Sequence, residues 1–239
     1  GERLEPSNNM CGRFYLDVQM DELEGYFSLG ATTIELKPRY NIAPSQDILA
    51  VSAPKGARVL SGFHWGLIPF WAKDEKIGYK TINARAETVH DKPAYRAAFK
   101  YRRCLIPCSG FYEWKKENNV KQPYCFRPTS QPMFALAGLY EHWQDQSGRE
   151  IDSCTILVGE ANQDVAPIHD RMPIILKPED FDCWLDPQVQ KKEQLLPLLK
   201  AAPPGEVDHY PVSRAVNSPA NDHADLIKNI SSSDQFRLT

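Results

Sequence analysis

A chain of 239 residues, 42% hydrophobic and 25% charged, can bury a sizeable core, which excludes a disordered, collagen-like or coiled-coil chain. Its 28 basic and 31 acidic residues leave a net charge of −3, so a uniformly basic nucleic-acid coat is excluded while a local basic groove is not. Six cysteines are too sparse for a disulfide scaffold, Cys104 and Cys108 lack the second Cys/His pair of a zinc site, and no apolar run approaches the ~20 residues of a membrane helix.

Residues 1–9 are polar and without periodicity, and they read as an expression leader ahead of a natural start at Met10, with a native propeptide as the alternative. Met20, Leu23 and Phe27 recur at helical spacing, predicting a helix over 17–30 that stops at Gly30. Residues 39–44 read as an extended loop. Strands are predicted over 48–53 and 59–63, around a Pro-Lys-Gly turn. A helix is predicted over 93–103, with Pro at its first turn and basic residues at its end. Further strands are predicted over 104–107, 133–140 and 154–159. Helices are predicted over 178–185 and 190–200, the last broken near Pro197, before a frayed tail at 231–239. No repeat or Gly/Ser linker divides the chain, so one strand-rich α+β domain over 10–230 is expected. From Tyr79 to Arg103 seven basic residues face two acids, which is either a solvated helix face or part of an anion-binding groove.

Four stretches place polar residues among aromatics and prolines: Met10-Cys-Gly-Arg13, Thr81-Ile-Asn-Ala-Arg-Ala-Glu87, Gly110-Phe-Tyr-Glu-Trp114 and Ile168-His-Asp-Arg-Met-Pro173. Singly, each has a plain reading. His169 would be a hydrogen-bonded loop histidine, Glu113 the polar face of a strand, Asn83 a turn residue and Cys11 a buried thiol. Together with Arg39-Tyr-Asn-Ile-Ala-Pro44, Trp65-Gly-Leu-Ile-Pro69 and Tyr210-Pro-Val-Ser213, they run in order along nearly the whole chain. In that pattern the chain resembles the SRAP (SOS response-associated peptidase) family, whose members shield abasic sites in single-stranded DNA.

The resemblance implies an α+β domain whose mixed sheets curl into a barrel-like core with peripheral helices. It also implies a covalent reaction. The family's cysteine is the mature N-terminus, so its α-amine can condense with the ring-opened abasic aldehyde and its thiol can then close a thiazolidine. An internal cysteine has its nitrogen locked in an amide, and a lysine can form the imine but not the ring. Carried over, Cys11 would be the crosslinking nucleophile and Asn83 would orient the amine or the sugar. Glu113 would be the acid/base group, and His169 would protonate the sugar ring oxygen. Arg13, Arg39, Arg85 and Arg171 would grip phosphates, and Trp65, Phe70 and Trp71 would stack or wedge beside the lesion. No metal or organic cofactor is implied. A monomer in a reducing cytosol is the default expectation. Residues 1–10 precede Cys11, so this chain would react only after their removal, by self-cleavage or by an aminopeptidase. A noncatalytic single-strand-binding module and a cysteine peptidase acting in trans are the alternatives.

Overall fold

The computed structural model describes residues 11–231; the expected leader (1–9), Met10 and all but the first residue of the expected tail lie outside them. The architecture grows from two long neighbouring strands, β9 (Phe134–Gln144) and β10 (Glu150–Glu160), whose central residues are buried on both faces. Such continuously apolar strands need cover on both sides. β3 (Asp47–Lys55) and β4 (Ala57–Trp65) form a hairpin turned at Gly56, whose φ of 89° suits glycine. β6 (Arg103–Cys108) joins β3 to β9, and β4 runs parallel to β10 at Ser153–Cys154. Strands β10, β4, β3, β6 and β9 therefore close into a five-stranded barrel.

Beyond the barrel, β10 continues and takes new partners. β5 (Asn83–Arg85) pairs with it in parallel and β11 (Arg171–Pro173) antiparallel, while β12 (Ile175–Leu176) extends β9. A second, antiparallel sheet is ordered β13 (Val207–Pro211), β8 (Val120–Pro128), β7 (Gly110–Glu117), β1 (Phe14–Leu16), β2 (Arg39–Ile42). Its β7–β8 hairpin turns on Asn118 and Asn119 at φ 46° and 64°, the left-handed pair that a two-residue hairpin loop requires. Phe14 on β1 meets Trp65 on β4 edge-on at 5.4 Å, so one apolar core spans both sheets.

The helices are shorter than the periodicity predicts. α1 covers Met20–Phe27, because Asp17 is held extended by a Ser109 hydroxyl on its N–H (2.9 Å) and by a hydrogen bond from the Tyr40 hydroxyl to its carboxylate (3.0 Å). It ends at Ser28 in the left-handed region at φ 52°, not at Gly30. α2 covers Arg96–Tyr101, and Arg103 opens β6 instead of ending the helix. α3 (Phe181–Leu185) follows a 3₁₀ turn at Pro178–Asp180, and α4 (Lys192–Leu195) passes into 3₁₀ at Leu196–Leu198, the break expected near Pro197. Residues 39–44, read as a loop, contain β2. The prolines of β8 hid it from the pattern.

Gly110 marks where β7 must approach its neighbours. A Cβ there would lie 2.4 Å from Tyr15 Cε1 and 2.6 Å from the Phe126 carbonyl oxygen. Gly110→Ala is expected to cost about 2–3 kcal/mol and lower the melting temperature by about 5–10 °C. Gly25→Ala, with open space around it, should leave the melting temperature level or slightly raised. Equal effects on a thermal scan would refute the close-approach argument.

Candidate active site

Four chain segments converge where β10 leaves the barrel. Cys11 precedes β1, Glu113 lies on β7, Asn83 opens β5 and His169 stands two residues before β11. β7 holds Glu113 beside Cys11 because β1 pairs with β7 in the register Phe14↔Phe111. The backbone N–H of Cys11 donates to Glu113 Oε1 at 2.6 Å. Asn83 Nδ2 faces the Cys11 carbonyl oxygen at 3.5 Å and donates to the Ile82 carbonyl at 3.1 Å. The Arg171 N–H donates to His169 Nδ1 at 3.1 Å, the Arg171 carbonyl oxygen lies 3.2 Å from the same nitrogen, and Nε2 faces Glu113 Oε2 at 3.8 Å. All four residues named from the sequence are thus brought to one place.

The site is dry on one side. Cys11 and Glu113 are buried and His169 is half-buried. Burial pushes the Glu113 carboxyl up to about 8; the N–H groups of Cys11 and Trp114 oppose that rise and Asp170 adds to it. Burial pushes the Cys11 thiol well above its ordinary range, and the Glu113 carboxylate and the Cys108 thiol push the same way. The arrangement sets beside the Cys11 nitrogen a carboxyl whose raised pKa lets it both take and return a proton near neutral pH, while burial holds the sulfur in its protonated form. Cys11 itself stands at φ 48°, the strained left-handed region for a non-glycine residue.

The residues expected to bind DNA divide by position. Arg85 is exposed and two residues from Asn83 on β5, so both side chains leave the same face of that strand. Arg171 reaches Glu87 through Nη1 and is half-buried. Arg13 donates to Asn41 Oδ1 (3.0 Å) and to the carbonyls of Val216 (2.7 Å) and Asn217 (3.2 Å), and it lies 5.8 Å over the Trp114 ring. Arg39 stands opposite Leu16, at the end of β1 away from Cys11, with its guanidinium on Gln46 and the Asp47 carbonyl. Phe70 and Trp71 are exposed. Trp65 corrects the expectation: it is fully buried against Phe14 and donates Nε1–H to the Ile82 carbonyl, so its ring packs the core and cannot stack on a base. The basic run is also smaller than it reads. Arg103 is buried and Arg102 is paired with Glu141, leaving Lys80, Arg85, Lys92, Arg96 and Lys100 exposed.

Two supporting residues went unread in the sequence. Tyr95 donates its hydroxyl to the Asn83 carbonyl at 2.9 Å. Asn41 ties Arg13 to the 216–221 loop by donating to the Val216, Ser218 and Asn221 carbonyls. Asn41 falls within the Arg39–Pro44 motif, a signal that was present. Tyr95 carried none.

A family model described as SOS response associated peptidase (SRAP) matches residues 10–219. Over 221 residues the chain is 43% identical to the abasic site processing protein YoaM of Bacillus subtilis, covering 91% of this chain and 97% of that one. It is 32% identical over 229 residues to the abasic site processing protein YedK of Escherichia coli, covering 92% and 99%. The crystal structure of a Bacteroides thetaiotaomicron protein superposes with a TM-score of 0.82 at 26% identity, covering 92% of this chain and 99% of that one. With its sequence matched over most of its length and its barrel shared with that structure, the chain belongs to the SOS response associated peptidase family.

Proposed function

We propose that this protein processes abasic sites in single-stranded DNA, forming a thiazolidine crosslink through Cys11 once residues 1–10 are removed. The observation that carries this reading is the Glu113 carboxyl hydrogen-bonded to the Cys11 nitrogen, beside a sulfur kept protonated by burial. With the α-amine freed, the ionised fraction of Glu113 takes its proton and the nitrogen attacks the abasic aldehyde carbon. Loss of one water gives the imine. The thiol sulfur then bonds to the same carbon while its proton passes to nitrogen, closing the ring with no other atom lost. Because the thiol is held protonated, nitrogen reacts first. His169 protonates the sugar ring oxygen to open the aldehyde, and Asn83 orients the Cys11 end. Arg85, Arg171 and the remaining donors of Arg13 hold the phosphates, and Phe70 and Trp71 flank the gap left by the missing base. Reading a missing base needs no base-edge contacts, so the grip falls with salt.

A cysteine peptidase acting in trans needs a thiolate nucleophile, and burial works against one at Cys11. The crosslink reading is favoured for that reason.

Intact-protein mass spectrometry with a single-stranded oligonucleotide carrying one abasic site tests the proposal. A covalent adduct, less one water, is expected from the chain beginning at Cys11. None is expected from the chain with residues 1–10 in place, nor from Cys11→Ala. No adduct from the trimmed chain, with trimming confirmed by mass, would sink the crosslink.

A further inference from the structure

Phe70 and Trp71 stand out because two large aromatics, 58% and 50% exposed, are displayed at the tip of a short loop. The loop is a β-turn closed by the Ala72 N–H on the Pro69 carbonyl (2.9 Å), which puts Phe70 and Trp71 at its two central positions. Both ends of the turn are clamped to β9 and β10. The Ile68 N–H donates to Ser153 Oγ at 2.8 Å, and Trp143 Nε1–H donates to the Ala72 carbonyl at 2.7 Å. Ser153 on β10 is directly opposite Glu141 on β9, and Trp143 follows two residues along the same face as Glu141.

Glu141 is only 2% exposed; burial pushes its carboxyl up, while Arg102 and, less strongly, the Phe70 N–H hold it down. Its Oε1 accepts from Arg102 Nη2 at 2.6 Å, while Oε2 and Arg102 Nε are buried without partners. This is a single-pronged ion pair with one orphaned atom on each side. Such a pair is a poor source of stability, because the desolvation of a buried carboxylate offsets its Coulomb gain. An apolar residue would fill this place at less cost, so geometry is what the pair supplies. An aromatic platform needs that geometry, since a stacking ring gains only when it is already held in place.

We propose that Glu141, paired with Arg102 and acting with Ser153 across the strand pair, is a positioning residue that presents Phe70 and Trp71 to the DNA strand. This rests on the reading that the protein binds single-stranded DNA at the Cys11 site, but not on the crosslinking chemistry. The readout is noncovalent: fluorescence anisotropy of a labelled single strand containing a tetrahydrofuran abasic analogue, which has no aldehyde to react.

Phe70→Ala/Trp71→Ala is expected to raise the half-saturating protein concentration about tenfold. Glu141→Gln should raise it about three- to fivefold, and the triple variant should bind no more weakly than the aromatic double variant. Ser153→Ala removes a clamp without touching the ion pair and should move binding the same way, which keeps the test open if Glu141→Gln misfolds. A merely structural Glu141 would lower the melting temperature and leave binding unchanged. Wild-type affinity in both Glu141→Gln and Ser153→Ala, or a Glu141→Gln loss that adds in full to the aromatic double variant, would overturn the proposal. A wild-type protein that does not bind the strand overturns both this and the DNA reading. Intact binding without any adduct to a true abasic site removes only the crosslink.

Discussion

Glu113→Gln, in the chain beginning at Cys11, is expected to slow crosslinking about a hundredfold at pH 7 while leaving affinity for an unreactive abasic analogue within about twofold. The amide keeps the shape of the side chain but accepts the amine proton poorly. A single-turnover rate measured at saturating DNA checks it, and a rate within threefold of wild type would remove Glu113 from the proton transfer. The same substitution carries a stability signature in the uncleaved chain. Burial raises the Glu113 carboxyl to about 8, above the unfolded value of 4.5. The folded state therefore holds a proton that the unfolded state releases. The stability tied to that proton is fully present below about pH 4.5 and is lost as the pH climbs through about 8. Urea unfolding at pH 5 and pH 8.5 should show wild type losing stability relative to Glu113→Gln across that window. A constant difference between the two proteins would mean that the carboxyl is not held protonated by the fold.

Arg103→Met is expected to cost about 3–5 kcal/mol and to lower the melting temperature by about 10 °C or more. All five N–H donors of this buried guanidinium are used. Nε donates to the Trp184 carbonyl (2.6 Å), Nη1 to those of Phe99 and Lys100 (both 2.8 Å), and Nη2 to those of Asp186 (2.6 Å) and Val189 (2.7 Å). The group also lies 5.5 Å over the Trp184 ring. Two of those carbonyls end α2 and the others close the turns at the end of α3, so methionine would fill the volume but remove five donated hydrogen bonds, leaving only Asp186 with a second donor among the described residues, the Val189 N–H at 3.1 Å. Burial lowers the Arg103 pKa to about 10, which still leaves the group charged at neutral pH. Denaturant unfolding measures the loss, and a cost under 1 kcal/mol would show that the carbonyls find water instead.

The two substitutions separate the roles of ionisable groups that look alike in the sequence. Glu113 keeps a raised pKa because it is buried, and the N–H groups of Cys11 and Trp114 offset that rise only in part. Arg103 is spent on backbone oxygens and brings no charge to a ligand. The sequence counts both simply as charged residues.

Local pattern determined a good deal. The apolar runs of β3, β4, β6, β9 and β10, the Pro-Lys-Gly turn and the break at Pro197 were all legible, because strand burial and turn chemistry act on neighbouring residues. The order of seven motifs carries the family, and Cys11, Asn83, Glu113 and His169 all fall within them. Helix lengths were overestimated, because periodicity cannot see Asp17 held by Ser109 and Tyr40, or Arg103 drawn into β6. Only the tertiary structure decided that Trp65 faces the core while Trp71 faces solvent, since both lie within one stretch of seven residues, 65–71, whose pattern does not separate them. Only the register of β1 on β7, and of β5 and β11 on β10, put a carboxylate, an amide and an imidazole within reach of one cysteine. Those contacts join residues up to 102 positions apart. Their existence depends on which strand edges meet, and that is set by burying one core between two sheets.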